Sequence, residues 1–391
     1  MTAPQTDAGR PRPGTRPANR RELVLAAAGK LFYDRGYDQV SMGDIAEAVA
    51  IGPSALYRHF SSKQELLFEV MKSSLALITT RLEAMSSPFR PDWTRDLVAA
   101  GADVRLGLLW QRETGHLSEA QRTLIHTTIS ATGQLTTDLI LRTRPELSPD
   151  EADFLAWGTL TVLLSPGFQR SRDTVDPALM AAIVSAVVHS PAPVPQDRPV
   201  GPSLGLQPRS RRERLLTESV RLFAARGYPN VGIEDIGAAL GIAGPSVYNH
   251  FATKADILVT ALTRGWAYLQ MDLGDVLASS PDTRTALRGM IDSYVRLGVR
   301  HPEIVSLILT ETRHLPEDSR NMLRQAQREY LAEWVAVVRA NSPDLTESEA
   351  RARLAAVVAL VNNQVRTPHL RDRFDMAPSL AALCTPLLTP R

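Results

Sequence analysis

The chain is expected to be all-α, built from two tandem units. Apolar residues recur at helical spacing almost throughout, as in Val24, Ala27, Ala28, Leu31 and Phe32, or Leu354, Val357, Val358 and Val361. Strand signals are sparse. One segment is also written twice: residues 20–67 align without a gap on 211–258, and 19 of the 48 positions are identical. The repetition resumes downstream, where Glu113-Thr114-Gly115-His116-Leu117 matches Glu311-Thr312-Arg313-His314-Leu315 and 147–152 matches 345–350. The offset grows from 191 to 198, so the second repeat carries about seven extra residues between 259 and 310.

The elements follow in order. Residues 1–19 read as a disordered basic tail. Arg10, Arg12, Arg16, Arg20 and Arg21 form one basic cluster, and Arg209, Arg211 and Arg212 another. Such clusters suit a polyanionic partner, although a solvated tail or linker accounts for them equally well. A first helix spans about 20–35, and its copy about 211–226. Gly36 and Gly227 stand where a helix-ending residue of positive φ is needed. Ser41 with Asp44, Ser62 with Glu65 and Thr253 with Asp256 have capping-box spacing. A second helix covers 41–48 and 232–239, and a tight turn at Val49-Ala50-Ile51 or Leu240-Gly241-Ile242 leads into a third. Pro53 and Pro245 suit its first turn. Two short helices joined by such a turn make a helix-turn-helix.

The expected domains are therefore helix-turn-helix domains over 20–66 and 210–257, each followed by a longer helical domain, 67–190 and 258–391. A Pro-rich linker, 191–209, holds Pro191, Pro193, Pro195, Pro199, Pro202 and Pro208. Fully extended it would reach up to about 60 Å. Leu164-Ser165-Pro166 is expected to break a helix whose counterpart in the second repeat carries Asn362-Asn363-Gln364, so the two longer helical domains are not equivalent.

Composition narrows the function. With 44% hydrophobic residues, 22% charged residues and a net charge of +2, the chain is of ordinary globular type. Its single cysteine, Cys384, is expected to be a small buried apolar side chain, and the lack of any disulfide pair fits a reducing, cytoplasmic setting. Residues 1–19 hold no apolar run, so no secretory signal is expected. No charge-free run of about 18 apolar residues occurs, so no membrane span is expected. There is no GxGxxG, P-loop, HExxH or cysteine cluster, and the eight histidines are scattered. An enzyme, a cofactor and a metal site are all unexpected.

Helical geometry sorts the third helix. Leu56 and Phe60 share the inner face with Ile45 and Val49, while Ser54, Tyr57 and Arg58 project outward. In the copy Val247 and Phe251 are inner, and Pro245, Tyr248 and Asn249 face out. A surface of small and polar residues such as these suits a DNA major groove. Lys63 and Lys254 open the following helix, whose start is a phosphate site.

At this point the residues resemble a known family, the TetR-type bacterial repressors: Leu-Phe-x-x-Arg-Gly-Tyr, Asp-Ile-Ala, then Leu-Tyr-Arg-His-Phe-x-x-Lys over 31–67, and the corresponding run over 222–258. The resemblance implies that Tyr57, His59, Lys63, Tyr248, His250 and Lys254 touch double-stranded DNA, that a small hydrophobic effector binds among the middle helices, and that pairing runs through the last two long helices of each unit. The family normally carries one unit per chain and works as a homodimer, whereas here two are fused.

The expected DNA-contacting set is thus Ser41, Pro53, Ser54, Ala55, Tyr57, Arg58, His59 and Lys63 with Gly244, Pro245, Ser246, Tyr248, Asn249, His250 and Lys254. Arg58 can pair with guanine and Asn249 with adenine, so the two heads should read an imperfect or asymmetric operator. Trp110, Gln111, Glu113, Thr114, His116, Glu311, Thr312 and His314 are candidate pocket residues, with helix-end hydrogen bonds or inter-helix links as the competing account. The reading is a transcriptional regulator, a repressor released by an effector and acting as a single-chain pseudo-dimer, with further pairing of two chains left open. The alternative is an effector-independent architectural DNA-binding protein.

Overall fold

Helix-start and helix-stop signals dominate the chain, and in the computed structural model they act where the residues predict. The structure describes residues 20–99, 105–168, 175–196 and 208–390. Arg10, Arg12, Arg16, Pro199 and Pro202 lie outside them. All the described regular elements are helical, apart from two isolated β-bridges. The chain divides into two compact units, 1–136 and 137–391.

In the first unit α1 (Arg20–Arg35), α2 (Met42–Ala48) and α3 (Pro53–Tyr57) form a three-helix head, followed by α4 (Lys63–Ser86), α5 (Trp93–Ala99), α6 (Arg105–Glu113), a 3-10 turn (Thr114–His116) and the start of α7 (Glu119–Thr143). The head closes over Val24, Phe32, Ile45, Leu56 and Phe60, each at most 1% exposed. Gly36, at φ 87°, ends α1 with its N–H on the Phe32 carbonyl at 2.9 Å. The capping box at α2 is complete: the Asp44 N–H reaches Ser41 Oγ at 3.1 Å, and the Ser41 N–H reaches the Asp44 carboxylate at 2.7 Å. At α4 only half the box forms, because the Glu65 carboxylate accepts from the Ser61 N–H (2.6 Å) instead of that of Ser62.

The second unit holds α8 (Pro149–Phe168) and α9 (Pro177–Val188), then the second repeat: α10 (Arg211–Arg226), a 3-10 turn (Tyr228–Asn230), α11 (Ile233–Ala239), a 3-10 segment (Gly244–Asn249), α12 (Lys254–Ser279), α13 (Thr283–Arg300), α14 (Pro302–Thr310), a 3-10 turn (Thr312–His314), α15 (Glu317–Asn341), α16 (Glu347–Gln364), α17 (Pro368–Arg373) and α18 (Met376–Leu388). Here α8 packs on α16, and α9 on both α16 and α18. The α8–α16 crossing is close. A Cβ at Gly158 would lie 3.2 Å from Leu360 and 3.2 Å from Val187. Buried Gln364 donates to the Phe154 carbonyl at 3.0 Å, Asn363 donates to Thr161 Oγ1, and Asn362 accepts from the Tyr294 hydroxyl at 2.9 Å. The polar triplet in an apolar helix is therefore hydrogen-bonding glue between helices.

Two expectations are corrected. Pro166 does not break its helix, since α8 continues to Phe168. Proline already has a helical φ, and near the helix end its missing N–H removes one ladder bond. The linker is not wholly a tether either. Val194 and Gln196 bond along Phe374: the Val194 carbonyl accepts from the Asp375 N–H, the Gln196 N–H donates to Arg373 O, both at 2.9 Å, and the Val194 N–H donates to Ser379 Oγ at 2.8 Å. Cys384 is fully buried, and burial pushes its thiol up to about 12.

Gly158→Val should lower stability by about 1–3 kcal/mol, because branched carbons would enter a closed crossing; an unchanged denaturant midpoint would contradict that packing. The turn before the third helical element uses a left-handed residue in both repeats, Ala50 (φ 53°) in one and Gly241 (φ 68°) in the other. Gly241→Ala should cost about 1 kcal/mol and Ala50→Gly should be neutral or stabilising, as read by thermal melting.

Candidate nucleic-acid interface

Each head is a rigid triangle whose outer edge is the third element. In the first repeat the Ala55 N–H bonds to Gly52 O, and in the second the Ser246 N–H bonds to Ala243 O, both at 2.9 Å. This aligns Gly52 with Ala243 and Pro53 with Gly244, so the gapless register is the structural one. Pro53, Ser54, Tyr57, Arg58 and His59 are exposed, Ala55 is half-buried, and Leu56 and Phe60 turn inward. In the copy Pro245, Tyr248 and Asn249 are exposed, Ser246 and His250 half-buried, and Val247 and Phe251 buried. Tyr57 and Tyr248 are each 53% exposed, an unusual state for a large ring and one that leaves both available to a partner. The second element is 3-10 rather than α, which eclipses residues three apart and presents its face differently.

Four of the expected contact residues are buried or engaged within the heads. Gly244 is buried, with the Glu234 carboxylate lying where a Cβ would project. Ser41 is committed to capping α2. Lys63 and Lys254 turn into the heads instead of outward. Lys63 Nζ donates to the Tyr37 carbonyl at 2.9 Å and sits 4.1 Å from the centre of the Tyr37 ring. Lys254 Nζ donates to the carbonyls of Tyr228 and Val231, both at 2.9 Å, and lies 4.2 Å from the Tyr228 ring centre. An ammonium has three donors, and these carbonyls together with a ring face satisfy it. Burial holds Lys254 below the ordinary lysine range, with Glu311 pulling the other way.

The residues proposed for a pocket belong to this same joint. His116 stacks on Tyr37 at 4.3 Å, its Nε2 lies 3.4 Å from the Glu113 carboxylate, and its carbonyl accepts from Gln64 at 2.7 Å. Glu113 is 2% exposed and approaches Gly36. In the copy His314 stacks on Tyr228 at 5.6 Å and lies 3.6 Å from Glu311, which is 5% exposed. Thr312 donates to the Ile308 carbonyl, Thr114 is half-buried in the 3-10 turn, and Trp110 meets His126 edge-on at 4.9 Å. The side chain of Gln111 lies outside the described residues. The Glu-Thr-x-His motif thus fastens the end of the sixth helix of each repeat to its head, as the helix-end account expects. Burial raises both Tyr37 and Tyr228 above the usual phenol range, reinforced by Asp38 and Glu113 for the first and by Asp256 and Glu311 for the second.

Tyr37 and Tyr228 received no role from the sequence, although each recurs with its lysine, histidine and glutamate. Arg21 over Phe60 (5.3 Å) and Arg212 over Phe251 (4.5 Å) were also missed; they fix the start of the first helix on the core of the head. No cluster able to hold a metal ion occurs among the described residues, and no helix there is long and apolar enough to cross a membrane.

Lys254→Ala should lower the melting stability of the DNA-free protein by about 1–3 kcal/mol, because two carbonyls lose their donor. A pure phosphate contact would leave stability intact and only reduce the salt dependence of DNA binding.

Comparison with known proteins agrees with the doubled geometry. The family model for bacterial regulatory proteins of the tetR family matches residues 24–70 and again 215–261, and a tetracyclin repressor-like C-terminal domain matches 280–363. The HTH-type transcriptional repressor KstR2 of Rhodococcus jostii is 31% identical over 139 residues, which is 34% of this chain and 66% of that protein. The HTH-type transcriptional activator FasR of Mycolicibacterium smegmatis is 39% identical over 77 residues, 18% of this chain and 35% of that one. The chain thus spans less than two thirds of these curated relatives. The solved ketosteroid transcriptional regulator KstR2 of Mycobacterium tuberculosis is 22% identical, covering 46% of this chain and 95% of its own, with a TM-score of 0.43. With its helix-turn-helix segment matched twice and built twice, this chain carries two units of the tetR family of bacterial regulatory proteins in tandem.

Proposed function

We propose that the chain is a single-chain pseudo-dimer that reads an asymmetric operator and acts as a repressor released by a small hydrophobic effector. Residues 20–66 and 210–257 are the two reading domains, and 67–190 and 258–391 the domains that pair and sense. The observation that carries this is the packing of α8 and α9, the last helices of the first repeat, on α16 and α18, the last helices of the second. The Gly158 crossing and the Gln364 and Asn363 hydrogen bonds are a dry, specific joint of the kind a dimer needs, and here both partners lie on one polypeptide. Covalent linkage raises the local concentration of each partner for the other to roughly the millimolar scale, so pairing does not depend on protein concentration.

Unequal reading surfaces support the asymmetry. Pro53, Ser54, Ala55, Tyr57, Arg58 and His59 would read one half-site, and Pro245, Ser246, Tyr248, Asn249 and His250 the other. For the effector, the space among α12, α13, α15 and α16 is the best-equipped region of the second repeat. Trp266, Tyr294, Tyr330 and Trp334 gather there at ring separations of 6.0–6.3 Å. Trp334 is buried beside Tyr330, with which its indole N–H interacts. A flat apolar ligand fits that aromatic lining. The architectural reading predicts no such ligand.

Selection of bound duplexes from random DNA, with light scattering of the complex, tests the proposal. The expected result is one chain per operator and two different half-sites about 34–36 Å apart centre to centre. A perfect palindrome occupied by two chains would overturn it.

A further inference from the structure

The heads differ at one place that the functional reading leaves unused. Glu234, the second residue of α11, replaces Gly43 of the first head. Its side chain lies along the start of the third element: a Cβ on Gly244 would meet Glu234 Oε2 at 2.0 Å and Cδ at 2.3 Å. The neighbouring positions are also bare. Gly237, three residues on and on the same face of α11, lies so close to the turn that a Cβ would meet Ile242 O at 2.8 Å and the Gly244 nitrogen at 2.9 Å. The first head has Ala46 there, and Pro53 where the second has Gly244. The carboxylate is exposed, and neither a hydrogen bond nor an ion pair engages it among the described residues. Its neighbour Asp235, by contrast, caps the helix (Gly232 N–H to Oδ2, 2.7 Å) and faces Arg226 at 3.6 Å.

An unpaired carboxylate held against a DNA-facing edge repels phosphates and accepts hydrogen bonds only. In the major groove the partner it suits is the cytosine N4 amino group; adenine sets its N6 amino group beside the N7 acceptor, and guanine and thymine offer acceptors alone. We infer that Glu234 is a base-reading residue of the second head, selecting cytosine at one position of one half-site that the first head does not specify.

This rests on the proposed DNA-reading role, and the test separates the two. Full-length wild type, Glu234→Gln and Glu234→Gly are titrated against the selected operator and every single-base variant of it, at fixed salt. Failure of the wild type to prefer any duplex would defeat the regulator reading itself. Given specific binding, the wild type should favour cytosine at one position of one half-site by about tenfold. Glu234→Gly should flatten that preference, and Glu234→Gln should move it toward adenine, with the other half-site unchanged. Glu234→Gln is nearly isosteric, so an unchanged melting temperature keeps the comparison clean even where the glycine variant unfolds. Equal tightening on all sequences, or an unaltered base preference, would overturn the inference.

Discussion

The left-handed glycine that ends the first helix of each repeat is the constraint on which the rest is built. Gly36 and Gly227 turn the chain at φ 87° and 81°, and the next residue, a tyrosine, drops beneath the head. Only there can its ring receive the lysine of the fourth helix on one side and the histidine after the sixth on the other. The histidine stands over a glutamate that is nearly fully buried. A buried carboxylate is costly unless partnered, so this glutamate, histidine, tyrosine and lysine stand together. The consequence is mechanical: the end of the sixth helix cannot shift without moving the tyrosine, and the tyrosine carries the turn that orients the second helix.

Legibility in the sequence followed the range of the interactions. Helix α1 and its copy α10 end where the residues predict, because Gly36 and Gly227 act on the last turn next to them. The outward set Ser54, Tyr57 and Arg58 was equally legible from a 3.6-residue period. What escaped were contacts between segments far apart in the chain. Glu113 and His116 looked like ligand chemistry because polar residues on an apolar helix invite that reading; their partner Tyr37 is more than seventy residues away in sequence. Lys63 looked like a phosphate contact because it opens a helix, yet the Tyr37 carbonyl claims it. A signal was present all the same, in that tyrosine, lysine, glutamate and histidine recur together in both copies. Recurrence marks a set of groups that work jointly, without saying at what. Asn362, Asn363 and Gln364 teach the converse: polar residues in an apolar helix can mark a helix crossing, visible only once the partners Tyr294, Thr161 and Phe154 are known.

The differences between the heads are correlated rather than scattered. Where the first has Gly43, Ala46 and Pro53, the second has Glu234, Gly237 and Gly244. Side-chain volume is lower at the third element and at Gly237 in the second head, and the Glu234 carboxylate lies where a side chain on Gly244 would project. A Cβ at Gly244 would meet the movable Glu234 carboxylate, and one at Gly237 would meet the backbone of the turn. Together these positions make a packing solution that the first head does not share.

A homodimer cannot hold such a solution on one side only. Two-fold symmetry writes every substitution into both heads, so a residue that suits one half-site must be acceptable at the other. Fusing two units removes that condition. The fold-bearing groups, Gly36 and Gly227, Tyr37 and Tyr228, Lys63 and Lys254, stay matched because each head needs its own joint. The exposed edges are then free to diverge, as Arg58 and Asn249 do and as Glu234 does against Gly43. The duplication leaves the groups needed for folding matched and the exposed edges different, while α8 of the first repeat packs on α16 of the second.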